Sequence, residues 1–199
     1  MRQPTRWEQI GRQNPDRSTW YVERFRTMAA EGADLAGEAR MIDAMVPRGS
    51  RVLDAGSGPG RVGGELLRRG HTVVGVDVDP LLVEAARADH PDGDWHVGDL
   101  AELDLPAAGV ADPFDIAVMA GNVLTFVAED TEAEVLRRIR AHLVPGGRLV
   151  VGFGAGRGYA FDRLDVDARE AGFRVEHRFS TWDLRPFEAG SQFLVAVLG

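Results

Sequence analysis

Arg51-Val52-Leu53-Asp54-Ala55-Gly56-Ser57-Gly58-Pro59-Gly60-Arg61 is a short apolar run that breaks into alternating glycines and then into helical spacing. Such a run reads as a buried strand, and strand, glycine turn and helix together open a βαβ unit. Glycine accepts positive φ and has no Cβ, so the backbone here approaches a ligand closely. The helix after the turn offers free N–H donors to a carboxylate or phosphate. In a doubly wound sheet the same turn lies at the carboxyl ends of the strands, by the topological switch point where ligands bind.

Working outward, apolar runs rich in Val, Ile and Leu predict strands over 51–55, 72–77, 95–98, 114–120, 148–153, 173–181 and 191–198. Helical spacing fills the gaps at 61–69, stopped by Gly70, at 80–89, with Asp79 as N-cap before Pro80, and at 161–171. Thr131-Glu132-Ala133-Glu134 predicts a capping box for a helix to Leu143, and Pro145-Gly146-Gly147 turns the chain into the fifth strand. Only a loop at 185–190 separates the last two strands, which therefore pair as an antiparallel hairpin. The expectation is an α/β fold: a doubly wound, Rossmann-like sheet of seven strands, six parallel and the seventh antiparallel, with helices on both faces.

Upstream, Tyr21, Phe25 and Met28, and then Leu35, Ile42 and Met45, mark two amphipathic helices. The chain reads as one domain, with a helical lid at 1–48 and an α/β core at 49–199. The mixed composition before Ser18 fits either a flexible tail or a substrate cover.

Composition narrows the chemistry. The 199 residues carry 23 basic and 31 acidic side chains, a net charge of −8, which repels nucleic-acid phosphates and anionic membranes. Every basic residue is arginine, so a pyridoxal Schiff base or a Walker lysine has no residue to use. No cysteine is present, which excludes thiolate nucleophiles and iron–sulfur clusters. His71, His90, His96, His142 and His177 never fall at i, i+4, so no metal site is expected. With no apolar run long enough for a signal or a span, the expected setting is cytoplasmic, without membrane or nucleic-acid partners.

The glycine register separates two nucleotide folds. Counted from Gly56, the third glycine of a dinucleotide fingerprint falls on Arg61, which disfavours a dehydrogenase. Asp54, Gly56, Gly58 and Gly60 match D-x-G-x-G-x-G, which resembles the first motif of class I S-adenosylmethionine-dependent methyltransferases. The resemblance continues through Val74 to Pro80, Trp95 to Leu100, Phe114 to Asn122 and Leu143 to Leu149, and covers the chain from about Ser50 onward. It implies S-adenosylmethionine as cofactor. It also implies Asp54 and the glycine loop near the methionine end, Asp77 and Val78 at the ribose, Asp99 and Leu100 at the adenine, and Ala120 after the fourth strand. A carboxylate suits a diol because its two oxygens accept two donors. Asp79 is accounted for as an N-cap.

The same sheet edge would gather a small-molecule acceptor pocket from Tyr21, Asn122, Tyr159 and Trp182, with Phe153, Arg157, Asp183, Arg185 and Phe187 nearby and Trp20 and Phe25 on the covering helices. Ala120-Gly121-Asn122-Val123 departs from the N-P-P-Y-like motif of nucleic-acid amino methyltransferases, in line with a small acceptor. No side chain is assigned as catalytic acid or base. A noncatalytic cofactor-binding or partner-binding module of the same fold is the alternative.

Overall fold

The computed structural model describes residues 2–199. Seven strands, β1 (Arg51–Ala55), β2 (Thr72–Asp77), β3 (Asp94–Val97), β4 (Phe114–Met119), β5 (Leu143–Gly154), β6 (Val175–Phe179) and β7 (Phe193–Leu198), make one sheet. Their order is β3-β2-β1-β4-β5-β7-β6, and only β7 runs against the rest, as the hairpin required.

Successive residues of each strand point to opposite faces, and each face finds its own helices. Val52, Val73, Ile116 and Val150 pack with Ile42 of α3 (Gly37–Met45), Leu66 of α4 (Arg61–Arg68) and Val83 of α5 (Pro80–Asp89). Leu53, Val74, Ala117 and Leu149 pack on the other side with Leu136 of α6 (Glu132–Ala141) and Leu164 of α7 (Arg163–Glu170). Covered on both faces, the central strands β1, β2 and β4 are mostly apolar, with charged residues confined to positions near their ends such as Arg51, Asp54, Asp77 and Asp115.

Trp95 of β3 sets how closely the layers meet. A Cβ on Gly75 of β2 would lie 2.2 Å from the indole, one on Gly93 2.6 Å, one on Gly63 of α4 2.7 Å and one on Gly60 3.1 Å. The indole is buried, and its Nε1 donates to the carbonyl of His90 at 2.8 Å. That slot brings α4, and the glycine loop ahead of it, down onto the sheet.

Several local expectations are corrected. The Thr131 hydroxyl donates to the Ala128 carbonyl at 2.7 Å instead of capping α6, while Glu134 pairs with Arg138 at 2.7 Å, so that capping box does not form. The helix stops at Ala141, and β5 starts at Leu143 because Phe114 pairs with Leu143 before the register jumps to Ile116 and Arg148. The Pro145-Gly146-Gly147 turn is the irregularity between those two pairings.

Before α3 the chain forms two helices, α1 (Arg6–Gln13) and α2 (Arg17–Ala30). The arm left open by the sequence is therefore ordered from Thr5, whose side chain accepts from Glu8 N–H while the Glu8 carboxylate accepts from Thr5 N–H. Thr5-x-x-Glu8 is itself a capping-box signature, so the signal was present in the sequence.

Candidate active site

β1 and β4 are neighbours whose connections leave in opposite directions, so the loops at their carboxyl ends part and open a cleft. Gly56 and Gly58 follow β1 with φ of 80° and 54°, values that a side chain would strain. A Cβ on Gly56 would meet Val123 of the β4 loop at 2.4 Å, so this glycine joins the two loops. Around Gly58 the nearest such contact is the Tyr21 ring at 3.7 Å, so this backbone opens into the cleft. Gly60 faces the other way, toward Ala86, His90 and Trp95; it seats α4 and does not reach the cleft.

Three acids end or follow the strands, and all three are buried. Asp54 accepts from Gly63 N–H at 2.9 Å, tying the first turn of α4 to β1. Burial pushes its carboxyl up to about 7. Asp77 accepts from Gly58 N–H at 2.8 Å on one oxygen and from Asp79 N–H at 2.9 Å on the other, and burial pushes it up to about 6. Asp99 accepts from Ala101 N–H at 2.9 Å and from the Arg2 guanidinium at 2.6 Å.

These elements frame a cavity of about 490 Å³. Gly56, Gly58, Asp77, Val78, Asp99, Leu100, Ala120, Tyr21 and Asn122 line it, while Asp54 lines a smaller recess continuous with it beneath the loop. Tyr159 and Trp182 are not brought there. The Tyr159 hydroxyl donates to Asp167 at 2.7 Å in the core under α7. Trp182 lies against Gly152, where a Cβ would meet the indole at 2.3 Å, and so fills a gap on the sheet. Phe153 and Phe187 pack around Phe161, and Asp183 pairs with Arg185 at the surface.

Asn122 has a left-handed backbone, φ 67°, and its Oδ1 accepts from Gly154 N–H at 2.8 Å. With the oxygen engaged, the amide NH2 is the group left to face the cleft.

The arm closes the other side. Arg6 and Trp7 N–H groups donate to the carbonyls of Val127 and Phe126 at 3.4 and 3.2 Å. Trp7 Nε1 and the Ser18 hydroxyl donate to Asp79, which thus does more than cap α5. Arg26 grips Asp89 with two hydrogen bonds at 3.1 and 3.0 Å. Arg17, Trp20, Tyr21, Arg24 and Phe25 of α2 then overhang the cavity, and Arg157 stands at its edge. Sequence reasoning missed Trp7, Arg17, Arg24 and Phe126. Arg17, Tyr21 and Arg24 stand at i, i+4 and i+7, a spacing that marks one helix face as clearly as an apolar stripe does.

A family profile described as a methyltransferase domain matches residues 52–147. A solved structure described as a TehB-like SAM-dependent methyltransferase, from Corynebacterium glutamicum, is 47% identical, with 93% of this chain and 98% of that one aligned at a TM-score of 0.86. The chain belongs to the class I S-adenosylmethionine-dependent methyltransferases. Among curated proteins, this methyltransferase is 35% identical over 117 residues to the magnesium-protoporphyrin O-methyltransferase of Rhodobacter capsulatus, covering 55% of this chain and 49% of that protein. It is 34% identical over 132 residues to the ribosomal protein L11 methyltransferase of Symbiobacterium thermophilum, covering 65% of this chain and 40% of that protein. The chain spans half or less of the length of these curated relatives.

The residues of the methyltransferase fit its cofactor. Each oxygen of Asp77 holds one backbone N–H and keeps a lone pair for a hydroxyl, Val78 and Leu100 offer apolar walls, and Gly58 leaves bare backbone beneath. No helix is long and apolar enough to cross a membrane.

Proposed function

We propose that the protein transfers the methyl group of S-adenosylmethionine to a small-molecule acceptor by in-line displacement. The observation that carries this is one cavity, of about 490 Å³, holding both the glycine loop with its acids and the Asn122 edge under α2. Bound there, the cofactor supplies a methyl group on a positively charged sulfur, already activated for displacement.

Asp77 accepts from the ribose hydroxyls, Asp99 from the adenine amino group, and the Leu100 N–H reaches a ring nitrogen. Gly56 and Gly58 bed the methionine end, with Asp54 anchoring the loop from behind. Helices α1 and α2 act as the lid, excluding water from the reacting atoms. Among the described residues lining the cavity there is no histidine, and burial raises the Tyr21 phenol above its ordinary value. The protein therefore works mainly by holding nucleophile and methyl in line, an arrangement worth up to about 7–11 kcal/mol in intramolecular reactions.

These two curated relatives are named for a tetrapyrrole and a ribosomal protein, so what favours a small acceptor here is the size of the cavity, about 490 Å³, together with the net charge of −8. Calorimetric titration with S-adenosylmethionine, S-adenosylhomocysteine and NAD, and then a release assay for S-adenosylhomocysteine over small acceptors, tests the reading. Binding of the sulfur compounds alone, with turnover on a small acceptor, is expected. Binding without turnover on any small molecule, but with turnover on a protein, would overturn it.

A further inference from the structure

The cavity divides by hydrogen-bonding sense. Its carboxylates, Asp77 and Asp99, stand where the cofactor's hydroxyls and amino group are placed; around the opening, apart from the Tyr21 hydroxyl, the free polar side chains are donors. Arg17 and Arg24 project from α2, Arg157 from the segment after β5, and the Asn122 amide NH2 faces the same space. Arg157 Nε and Asn122 Oδ1 both lie against Gly154, 3.2 and 3.6 Å from where its Cβ would be.

What sets these guanidiniums apart, in a chain with 31 acidic residues against 23 arginines, is that three of them line one cavity without a carboxylate partner. Most other arginines take carboxylates, such as Arg6 with Glu132, Arg26 with Asp89, Arg40 with Asp34, Arg61 with Glu38 and Arg163 with Asp167, while Arg51, Arg87 and Arg148 donate to backbone carbonyls. Among the described residues no carboxylate pairs with Arg17, Arg24 or Arg157. Arg17 instead stacks over Trp7 at 4.7 Å, with its Nε buried and without a partner, and Arg24 lies over Trp20 at 5.5 Å. Stacked guanidiniums are held in place with their N–H edges free, which suits planar or tetrahedral anions.

Resting on the methyltransferase reading above, we propose that the acceptor is a small organic anion, bearing a carboxylate or phosphate that Arg17, Arg24 and Arg157 receive at the cavity mouth. The aromatic rings of Trp20, Tyr21 and Phe25 beside them suit an unsaturated or ring-bearing body. A neutral or cationic acceptor would leave three guanidiniums at the opening without an anionic partner.

The test is made on protein saturated with S-adenosylhomocysteine, whose binding is measured first; failure at that stage would sink the methyltransferase reading itself and is distinct from failure of the anion to bind. The complex is then titrated with benzoate, phenyl phosphate and benzamide at low and raised salt. Benzoate or phenyl phosphate should bind, weakening with salt, and benzamide should not; whichever anion binds more tightly identifies the head group. Arg157→Ala and Arg24→Ala should each weaken the anion about tenfold, as expected for a charged hydrogen-bond partner, and leave S-adenosylhomocysteine within about twofold. Equal binding of benzamide, no anion binding, or anion binding indifferent to both substitutions would overturn the proposal. So would a loss confined to S-adenosylhomocysteine, which would assign the arginines to the cofactor's own carboxylate.

Discussion

The two ends of the cavity are built by different means. The cofactor end is made of strand termini and the turns directly after them, so its groups are fixed by the sheet: Asp77 ends β2, and Gly56 and Gly58 follow β1. The mouth is made of an N-terminal helix pair and a loop, held to the core by backbone bonds from Arg6 and Trp7, by the packing of Trp7 and Val22 on Leu82 and Ala85, and by contacts such as Trp7 to Asp79 and Arg26 to Asp89. A frame fixed by the sheet suits a ligand that is the same in every turnover, and a helix face suits recognition of the variable partner.

Substitutions can break that contrast. The largest effect is expected for Gly56→Ala, which forces a Cβ into positive φ and against Val123. A stability loss of about 2–4 kcal/mol, read by urea denaturation, should accompany loss of S-adenosylhomocysteine binding. Asp77→Ala comes next, with cofactor binding weakened by about 1.5–3 kcal/mol in calorimetry. Unchanged affinity would remove the ribose from β2.

The same carboxyl predicts a pH profile. Because burial sets Asp77 at about 6, its charged form, which accepts the hydroxyls, prevails above that value and is lost as pH falls through it. Affinity for S-adenosylhomocysteine should drop by about tenfold between pH 7 and pH 5, and Asp77→Asn should flatten the drop. Tyr159→Phe gives the smallest effect, about 1 kcal/mol of stability, since Asp167 keeps Arg163 at 2.8 Å. Cofactor affinity should stay put; a change there would return Tyr159 to the site.

That the glycine loop and the acids gather at one edge was legible because the pattern is local. Strand, glycine and acid succeed one another within a few residues, and backbone geometry alone carries them to one edge. The hairpin was legible too, from a loop too short for a helix. The mouth was not, because which side chains face it depends on how α1 and α2 dock. Trp182 sits on the expected edge, yet Gly152 gives it a gap in the sheet and the indole takes that instead. Tyr159 leaves the edge for a buried carboxylate in the same way. Thr131 and Thr5 make the point in small: both begin a T-x-x-E, and only Thr5 has the extended backbone that aims its side chain into the box, whereas Thr131 has a helical ψ of 0° and its hydroxyl turns back to Ala128.

The slot around Trp95 bears on how such a sequence can diverge. Gly63, Gly75 and Gly93 come from three separate places in the chain, and each is kept without a side chain by the same indole. None can gain a methyl group while the ring stays. Nor can the ring shrink cheaply, since neighbours without side chains have nothing to lean into the hole. Drift at these four positions is therefore concerted: among relatives that lack the tryptophan, alanine or larger residues should appear at the three glycines together, as one inherited block.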